Sequence, residues 1–240
     1  MAHLAGVGPS DHVVEIGAGL GSLTLALAAT GAAVTAVEID RHVVPVLRGV
    51  VEPHGVTVVE ADAMHADWDA LLSAFDRWVL VANLPYNIAT PLVLDLLAGA
   101  PRIARMLVMV QREVGERLAA GTGDAAYGAP SVRLSYWATA RVVGRVPATV
   151  FVPKPRVESV LVAVERRDAP AVDADRDALF RLIAAGFGQR RKMLRRSLAG
   201  LVDDAAFAAA GVAPTARAED LDIAQWGRLA AWKSNSPEPS

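Results

Sequence analysis

A glycine-rich turn between an apolar strand and an apolar helix is the feature that most constrains the fold of this chain. Residues 12–16 are typical of a short strand. Residues 17–21 (Gly-Ala-Gly-Leu-Gly) are typical of a turn, and the segment that begins at Ser22 is typical of a helix. A second strand, residues 32–37, ends at Glu38. This order predicts a β-α-β unit in which the glycines let the main chain approach a ligand closely.

Strands and helices keep alternating beyond this unit, which predicts a mostly parallel sheet covered by helices. In chain order, the pattern predicts helices over 41–51, 68–75, 91–97, 112–120 and 129–137, and strands over 56–60, 78–82, 105–110, 140–146 and 159–165. We expect the last two strands to form an antiparallel edge pair. The predicted fold class is therefore α/β, with a Rossmann-like sheet.

Residues 168–172 mark a change of character. Helical patterns follow them, over 175–187, 193–201 and 203–210 and in a last segment that contains Trp226 and Trp232. The sequence therefore predicts an α/β domain over 1–167, a small helical domain over 173–233 and a disordered tail over 234–240.

Composition limits the class of protein. The chain has no cysteine, which excludes disulfides and a thiol nucleophile and fits a reducing compartment. Its first residues lack the basic stretch and apolar core of a signal peptide. Charge, glycine or proline interrupts every apolar run, so no membrane span is predicted. We expect a soluble cytoplasmic protein.

Charge is unevenly distributed, although the formal net charge is only −2. Residues 141–200 carry 13 basic against 6 acidic side chains, whereas residues 1–140 carry 8 against 14 and residues 201–240 carry 3 against 6. A contiguous basic excess favours a polyanionic partner, although an ordinary solvated surface is an equally good explanation from charge alone.

Each of the first four predicted strands ends next to a residue that can bind a ligand. These residues are Gly17, Glu38, Asp62 and Asn83. Ligands of open α/β sheets bind at the carboxyl ends of the strands. Because four such residues at four successive strand ends are an unlikely coincidence, we predict one binding site along this edge.

The tetrapeptide Asn83-Leu84-Pro85-Tyr86 is suited to holding a flat molecule with an exocyclic amine. The side-chain oxygen of Asn83 and the carbonyl of Leu84, which Pro85 keeps extended, can accept both amine hydrogens. Two such acceptors draw the amine lone pair out of ring conjugation and make it nucleophilic, while Tyr86 stacks on the base. The alternative is an Asx turn ended by a proline.

The glycine-rich turn resembles motif I of S-adenosylmethionine (SAM)-dependent methyltransferases. A dinucleotide site would need a third glycine where this chain has Ser22, whereas the spacing Glu15-x-Gly17-x-Gly19-x-Gly21 fits the methyltransferase motif. The resemblance implies that Glu38 binds the SAM ribose and Asp62 its adenine amine. Asp62 could instead cap the segment that follows it.

Five segments together resemble the small-subunit ribosomal RNA adenine N6,N6-dimethyltransferases (the KsgA family), whose relatives include the Erm methyltransferases. The segments are 83–91, 110–118, 127–128, 151–159 and 187–194, and with the glycine-rich turn they are distributed over nearly the whole chain. The Phe-x-Pro-x-Pro-x-Val-x-Ser stretch and the Gln-Arg-Arg-Lys run favour the KsgA branch over Erm.

The resemblance implies a metal-independent enzyme that uses SAM, binds ribosomal RNA within a small-subunit particle and acts as a monomer in ribosome biogenesis. The implied catalytic residues are Asn83, Leu84 and Tyr86; the SAM-binding residues are Gly17, Gly19, Gly21, Glu38, Ile39, Asp62, Ala63 and Asn83; the RNA-binding residues are Phe151, Lys154, Arg190, Arg191 and Lys192. The helical domain is the expected RNA-binding domain. Phe151 is equally well explained as a buried residue of a connecting loop.

Three other functions remain open from the sequence. An Erm-type enzyme would act on large-subunit RNA, a DNA adenine methyltransferase would use a similar Asn-x-Pro-Tyr motif, and a ribosome-assembly factor would bind RNA without catalysis. One departure favours the last. Family members usually carry a Gly-Gln-Asn-Phe-Leu type segment before the first strand, and its absence predicts a shortened start and weaker SAM binding.

Overall fold

The computed structural model describes residues 1–151 and 157–232, which form two compact units. Unit 1 comprises Met1–Ala119 and Thr139–Arg166 and contains the sheet, while unit 2 comprises Ala120–Ala138 and the chain from Arg167 onward and is helical. Residues 152–156, with Lys154, and residues 233–240, with the predicted tail, lie outside the described residues.

Unit 1 is organised by a sheet of seven strands within the described residues. The strands are β1 (His12–Ile16), β2 (Ala33–Glu38), β3 (Thr57–Glu60), β4 (Trp78–Asn83), β5 (Ile103–Gln111), β6 (Ala138–Val146) and β7 (Ser159–Arg166). Their order is β3-β2-β1-β4-β5-β7-β6, parallel from β3 to β5 and antiparallel between β5 and β7. This confirms the predicted α/β class with an antiparallel edge.

The strand order reverses at the centre of the sheet, where β1 and β4 lie side by side. Residues 13–16 and 78–82 are buried there. They form continuous apolar stretches, interrupted by Glu15, because helices cover both faces of a parallel sheet. The crevice at such a reversal is the usual ligand site of open α/β sheets, so the topology directs the predicted binding residues to one place.

Helices follow the strands in the expected alternation. They are α1 (Ala2–Ala5), α2 (Ser22–Ala28), α3 (Val44–Val51), α4 (Trp68–Leu71), α5 (Ala89–Gly99), α6 (Arg112–Ala119), α7 (Ala129–Trp137), α8 (Arg176–Gly188), α9 (Leu194–Ser197), α10 (Asp204–Ala210) and α11 (Ile223–Ala231). Within the described ranges, no helix combines the length and the hydropathy needed to cross a lipid bilayer.

Helix α4 is shorter than the pattern over 68–75 predicts. The indole N–H of Trp78 donates hydrogen bonds to the carbonyls of Leu72 (3.0 Å) and Phe75 (3.2 Å). These bonds hold the chain in a turn that leads into β4. A single buried indole thus ends the helix one turn early, which the local sequence pattern does not reveal.

Unit 2 has an apolar core of its own around Trp226 and Phe207, both almost fully buried. Tyr127 and Tyr136 belong to the same cluster, and the Tyr127 hydroxyl donates to the Leu221 carbonyl at 2.9 Å. Residues 120–138 therefore belong to the helical unit, whereas the sequence assigned them to the α/β domain. No residue of α7 is exposed, so the helix has no solvent-facing side from which the sequence could indicate the core that it joins.

Candidate active site

The carboxyl ends of the first four strands surround a cavity of about 410 Å³, a size typical of small-molecule sites. Six of the predicted SAM-binding residues line it: Gly17, Glu38, Ile39, Asp62, Ala63 and Asn83. Ile88, which the sequence analysis missed, joins Ile16, Val37 and Ile39 as the branched apolar residues of the lining. The cavity therefore combines carboxylates with apolar surface, as a nucleoside requires.

The glycine-rich turn has a backbone that glycine adopts more readily than any other residue. The φ angles of Gly17, Gly19 and Gly21 are +72°, +56° and +87°, in the left-handed region. A Cβ added to Gly21 would also stand 2.6 Å from the Val51 side chain. Both the conformation and the close approach to α3 therefore explain the glycines in this turn.

Glu38 ties the glycine-rich turn to the end of β2. Its Oε2 accepts a hydrogen bond from the Gly19 N–H at 2.8 Å, and its Oε1 accepts from the N–H groups of Ile39 (2.9 Å) and Asp40 (3.0 Å). A carboxylate has about four acceptor positions. One position thus remains for a donor in the cavity, which is compatible with a ribose hydroxyl.

Asp62 begins a tight turn that lines the cavity. Its Oδ1 accepts the Met64 N–H at 2.9 Å, and its Oδ2 lies 2.8 Å from Nδ1 of His65. The next helix, α4, is capped by Asp67, whose Oδ1 accepts the Ala70 N–H at 3.0 Å. Asp62 is therefore not the helix cap that the sequence left as an alternative. His65, which also lines the cavity, was missed by the sequence analysis.

Asn83 ends β4, and its side chain is exposed. The Leu84 N–H still donates to the Met109 carbonyl of β5 at 3.1 Å. Within residues 1–151 and 157–232, neither the Asn83 side chain nor the Leu84 carbonyl has a hydrogen-bond partner. The Asn83 side-chain oxygen and the Leu84 carbonyl oxygen, which the sequence analysis proposes as the two acceptors, are therefore both available to an amine.

Tyr86 follows these acceptors with 38% of its surface exposed. Its hydroxyl lies 3.5 Å from Oγ of Ser159, the buried first residue of β7, which is the outer limit of a hydrogen bond. The ring is thus only weakly fixed through its hydroxyl and keeps surface on which a base can stack.

A second cavity of about 430 Å³ lies at the carboxyl end of β5. It is lined by Gln111, Arg112, Glu113, Val157 and Glu158. Gln111 pairs in the sheet with Ser159, the residue nearest the Tyr86 hydroxyl. The sequence analysis missed this cavity because its walls come from β5, α6 and the approach to β7, which only the fold brings together.

Glu15 is a buried carboxyl on β1, in the sequence motif that precedes the glycine-rich turn. It is only 2% exposed, and its Oε2 has no hydrogen-bond partner within the described residues. Burial raises the pKa of this carboxyl to about 7. Because the folded state holds its proton more tightly than the unfolded state, Glu15 lowers stability as pH rises between about 4.5 and 7.

The predicted RNA-binding residues fall in different places. Phe151, in unit 1, is half-buried and packs against the apolar core. Arg190, Arg191 and Lys192 lie in a turn of unit 2 between α8 and α9. Arg190 is bonded to Glu219, and its Nη2 donates to the Ala125 carbonyl at 3.4 Å.

Other cations near this turn are unpaired. Arg191, Lys192, Arg195 and Arg196 are exposed, and none of them forms a salt bridge within the described parts of the chain. We call these four residues the basic cluster. Free guanidinium and ammonium groups at this density are suited to phosphate contacts.

Comparison with protein families and curated proteins finds a match over nearly the whole chain. The family model described as ribosomal RNA adenine dimethylase matches residues 2–235. Ribosomal RNA small subunit methyltransferase A of Thermobifida fusca is 47% identical over 237 residues, 94% of this chain and 82% of that protein. The protein of the same name from Acidothermus cellulolyticus is 44% identical over 96% of this chain and 82% of its own length.

Two solved structures have a similar fold. The crystal structure of the 23S rRNA methyltransferase ErmE has a TM-score of 0.72 and 27% sequence identity, and the match covers 95% of this chain and 93% of that one. A dimethyladenosine transferase from Plasmodium falciparum has a TM-score of 0.77 over 95% of this chain and 91% of its own, at 23% identity.

Proposed function

This chain belongs to the ribosomal RNA adenine dimethylase family, and we propose that it dimethylates N6 of adenines in small-subunit ribosomal RNA with SAM as the methyl donor. The observation that supports this most is the strand-end cavity lined by Glu38, Asp62 and Asn83. Its acidic, amide and apolar groups fit a nucleoside cofactor, and the acceptors for an attacking amine lie at its edge.

The residues at the ends of β1–β3 would hold the cofactor. The remaining acceptor position of Glu38 would bind a ribose hydroxyl, and the Asp62 carboxylate would accept a hydrogen bond from the adenine amine. Ile39 and Ile88 would contact the faces of the purine ring. SAM, when bound, would supply a methyl group on a positively charged sulfonium, from which a neutral thioether is a good leaving group.

Asn83, Leu84 and Tyr86 would hold the target base. The Asn83 side-chain oxygen and the Leu84 carbonyl accept the two amine hydrogens, and this keeps the nitrogen lone pair out of the ring and directed at the methyl group. The amine loses its proton after it gains positive charge, so no side chain has to act as a strong base. Catalysis then depends on position and on preorganised acceptors.

The proposal is tested by transfer of labelled methyl groups from SAM to small-subunit particles that lack the modification. We expect label in the small-subunit RNA and N6,N6-dimethyladenosine after nuclease digestion. Large-subunit RNA and adenine-containing duplex DNA serve as the alternative substrates. Label in either of these but not in small-subunit RNA, or no label at all, would overturn the proposal.

Tyr86 offers a test of the proposed stacking. Its hydroxyl makes only a 3.5 Å contact with Ser159, so we expect Tyr86→Phe to keep most activity. Tyr86→Ala should lose stacking worth about 1–3 kcal/mol, mainly as a lower kcat, with SAM affinity unchanged. Single-turnover methylation and SAM titration of both variants measure this. Equal loss of activity in the two variants would assign a chemical role to the hydroxyl.

We propose that unit 2 contributes RNA affinity through the basic cluster. Its four cations are exposed and unpaired within the described residues, and they belong to the segment with the largest positive excess. Arg190 should contribute less than its neighbours because Glu219 already holds its guanidinium.

Replacing Arg191 and Lys192 together with Gln should weaken RNA binding and flatten its salt dependence. Each lost phosphate contact on a single strand lowers the log–log slope by about 0.7, so the double variant should lose about 1.4. The matched control is Arg190→Gln, which removes one positive charge from a paired side chain and should change the slope least. RNA affinity measured over a series of KCl concentrations gives the slopes. An unchanged slope in the double variant would contradict this role.

A further inference from the structure

We infer that His65 is a positioning residue that holds the Asp62 carboxylate in place for the adenine amine of the cofactor. The inference rests on the proposed function, because it takes SAM as the ligand of the strand-end cavity. It concerns the second partner of Asp62, a side chain to which the sequence gave no role.

Two donors contact the Asp62 carboxylate, one at each oxygen. His65 Nδ1 contacts Oδ2 at 2.8 Å, and the Met64 N–H contacts Oδ1 at 2.9 Å. The His65 N–H also donates to the Asp62 carbonyl at 3.0 Å, which closes the turn between the two residues. Each carboxylate oxygen has two acceptor positions, so each keeps one for a ligand.

Trp68 fixes the backbone of the same turn. The indole N–H of Trp68 donates to the Ala63 carbonyl at 3.1 Å. Ala63, Met64 and His65 all line the cavity. The turn thus presents a fixed backbone, and the part of it that still has freedom is the Asp62 side chain.

That freedom matters because the Asp62 side chain is 39% exposed. An exposed carboxylate can occupy three staggered χ1 positions, of which one matches the ligand. Apparent affinity falls with the fraction of molecules in the competent state. If His65 holds that state, its removal should weaken binding about three- to fivefold. The His65 hydrogen bond is also the largest cause that lowers the pKa of the Asp62 carboxyl, so the contact favours its ionised form.

His65 is poorly placed to serve stability. Its side chain is 82% exposed, and the bond to Asp62 is the one side-chain hydrogen bond that it makes within the described residues. A buried structural histidine would be enclosed by other side chains. Substitutions at His65 should therefore leave the melting temperature unchanged and affect the cavity alone.

The test uses calorimetric titration with two ligands. One is S-adenosylhomocysteine, and the other is its purine analogue without the exocyclic amine. His65→Ala should weaken the first about three- to fivefold and leave the second unchanged. His65→Asn should restore binding, because Asn Nδ2 takes the place of His Nδ1. His54→Ala, another exposed histidine of unit 1, is the matched control for charge and folding.

A double-mutant cycle separates this inference from the proposed function. Asp62→Ala should weaken S-adenosylhomocysteine binding more than His65→Ala does, and the double variant should bind no worse than Asp62→Ala alone. If Asp62→Ala binds normally, the cofactor assignment itself fails. If Asp62→Ala weakens binding but His65→Ala does not, or if His65→Ala acts equally on both ligands, only the role of His65 is overturned.

Discussion

Replacing Asn83 with alanine is expected to lower kcat for methyl transfer by about 10²- to 10³-fold, the usual effect of removing one preorganised polar group from an active site. The Leu84 carbonyl would then be the one acceptor left for the amine. The nitrogen lone pair would return to conjugation with the ring, and the amine would lose its direction. RNA affinity should stay nearly unchanged, because the basic cluster lies in another unit.

Single-turnover methylation with saturating SAM measures the chemical step of this variant. The matched control is Asn87→Ala, which changes an exposed asparagine in the turn that follows β4 and should keep nearly full activity. Because Asn83 also lines the cavity, SAM affinity is titrated in parallel. Loss of SAM binding with a normal kcat would make Asn83 a cofactor ligand only and would contradict its role towards the amine.

The strand-end site could be predicted from sequence because it depends on local patterns and one general rule. Buried parallel strands are short apolar runs, the polar residues stand at or just after the last residue of each strand, and parallel strands place their carboxyl ends at one edge. Glu38, Asp62 and Asn83 therefore converge in the structure as expected. The positive φ angles of Gly17, Gly19 and Gly21 follow from the same pattern.

The features that the sequence analysis missed depend on contacts between distant segments. Residues 120–138 join unit 2 because Tyr127 and Tyr136 pack with its core, and no local pattern encodes that choice. The cavity lined by Gln111 and Glu158 exists because β5 and β7 are neighbours. His65 is different. It lies three residues after Asp62 in a turn. A side-chain donor at that spacing can reach the Asp62 carboxylate, so the sequence alone could have predicted this contact.

The second large effect is expected at Arg166, the last residue of β7. Its guanidinium donates to four backbone carbonyls: Ile103 (2.8 Å), Leu97 (2.7 Å), Leu96 (3.1 Å) and Ala100 (3.1 Å). No carboxylate lies within salt-bridge distance of it among the described residues. The side chain thus places a positive charge at the carboxyl end of α5. Two of the four carbonyls, those of Leu96 and Ala100, also accept from backbone N–H groups, at 3.0 and 3.1 Å.

Arg166→Ala should lower the free energy of unfolding by about 3–5 kcal/mol, because several carbonyls lose a charged donor at once. For a chain of this size that is a fall in melting temperature of about 6–20 °C. Arg166→Lys should recover only part of the loss, since an ammonium group cannot span four acceptors. Thermal unfolding followed by circular dichroism measures both variants.

The neighbouring arginine provides the control for this prediction. Arg167 is exposed, and its side chain donates to one carbonyl, that of Ser135, at 3.1 Å, so Arg167→Ala should change the melting temperature by no more than a few degrees. Equal effects of the two alanine variants would show that the four bonds of Arg166 add nothing beyond an ordinary surface contact. Helix α5 begins at Ala89, three residues after Tyr86, so it supports the loop that would bind the target base. If the melting temperature falls in Arg166→Ala but not in Arg167→Ala, the Arg166 side chain holds the opposite end of that helix in place.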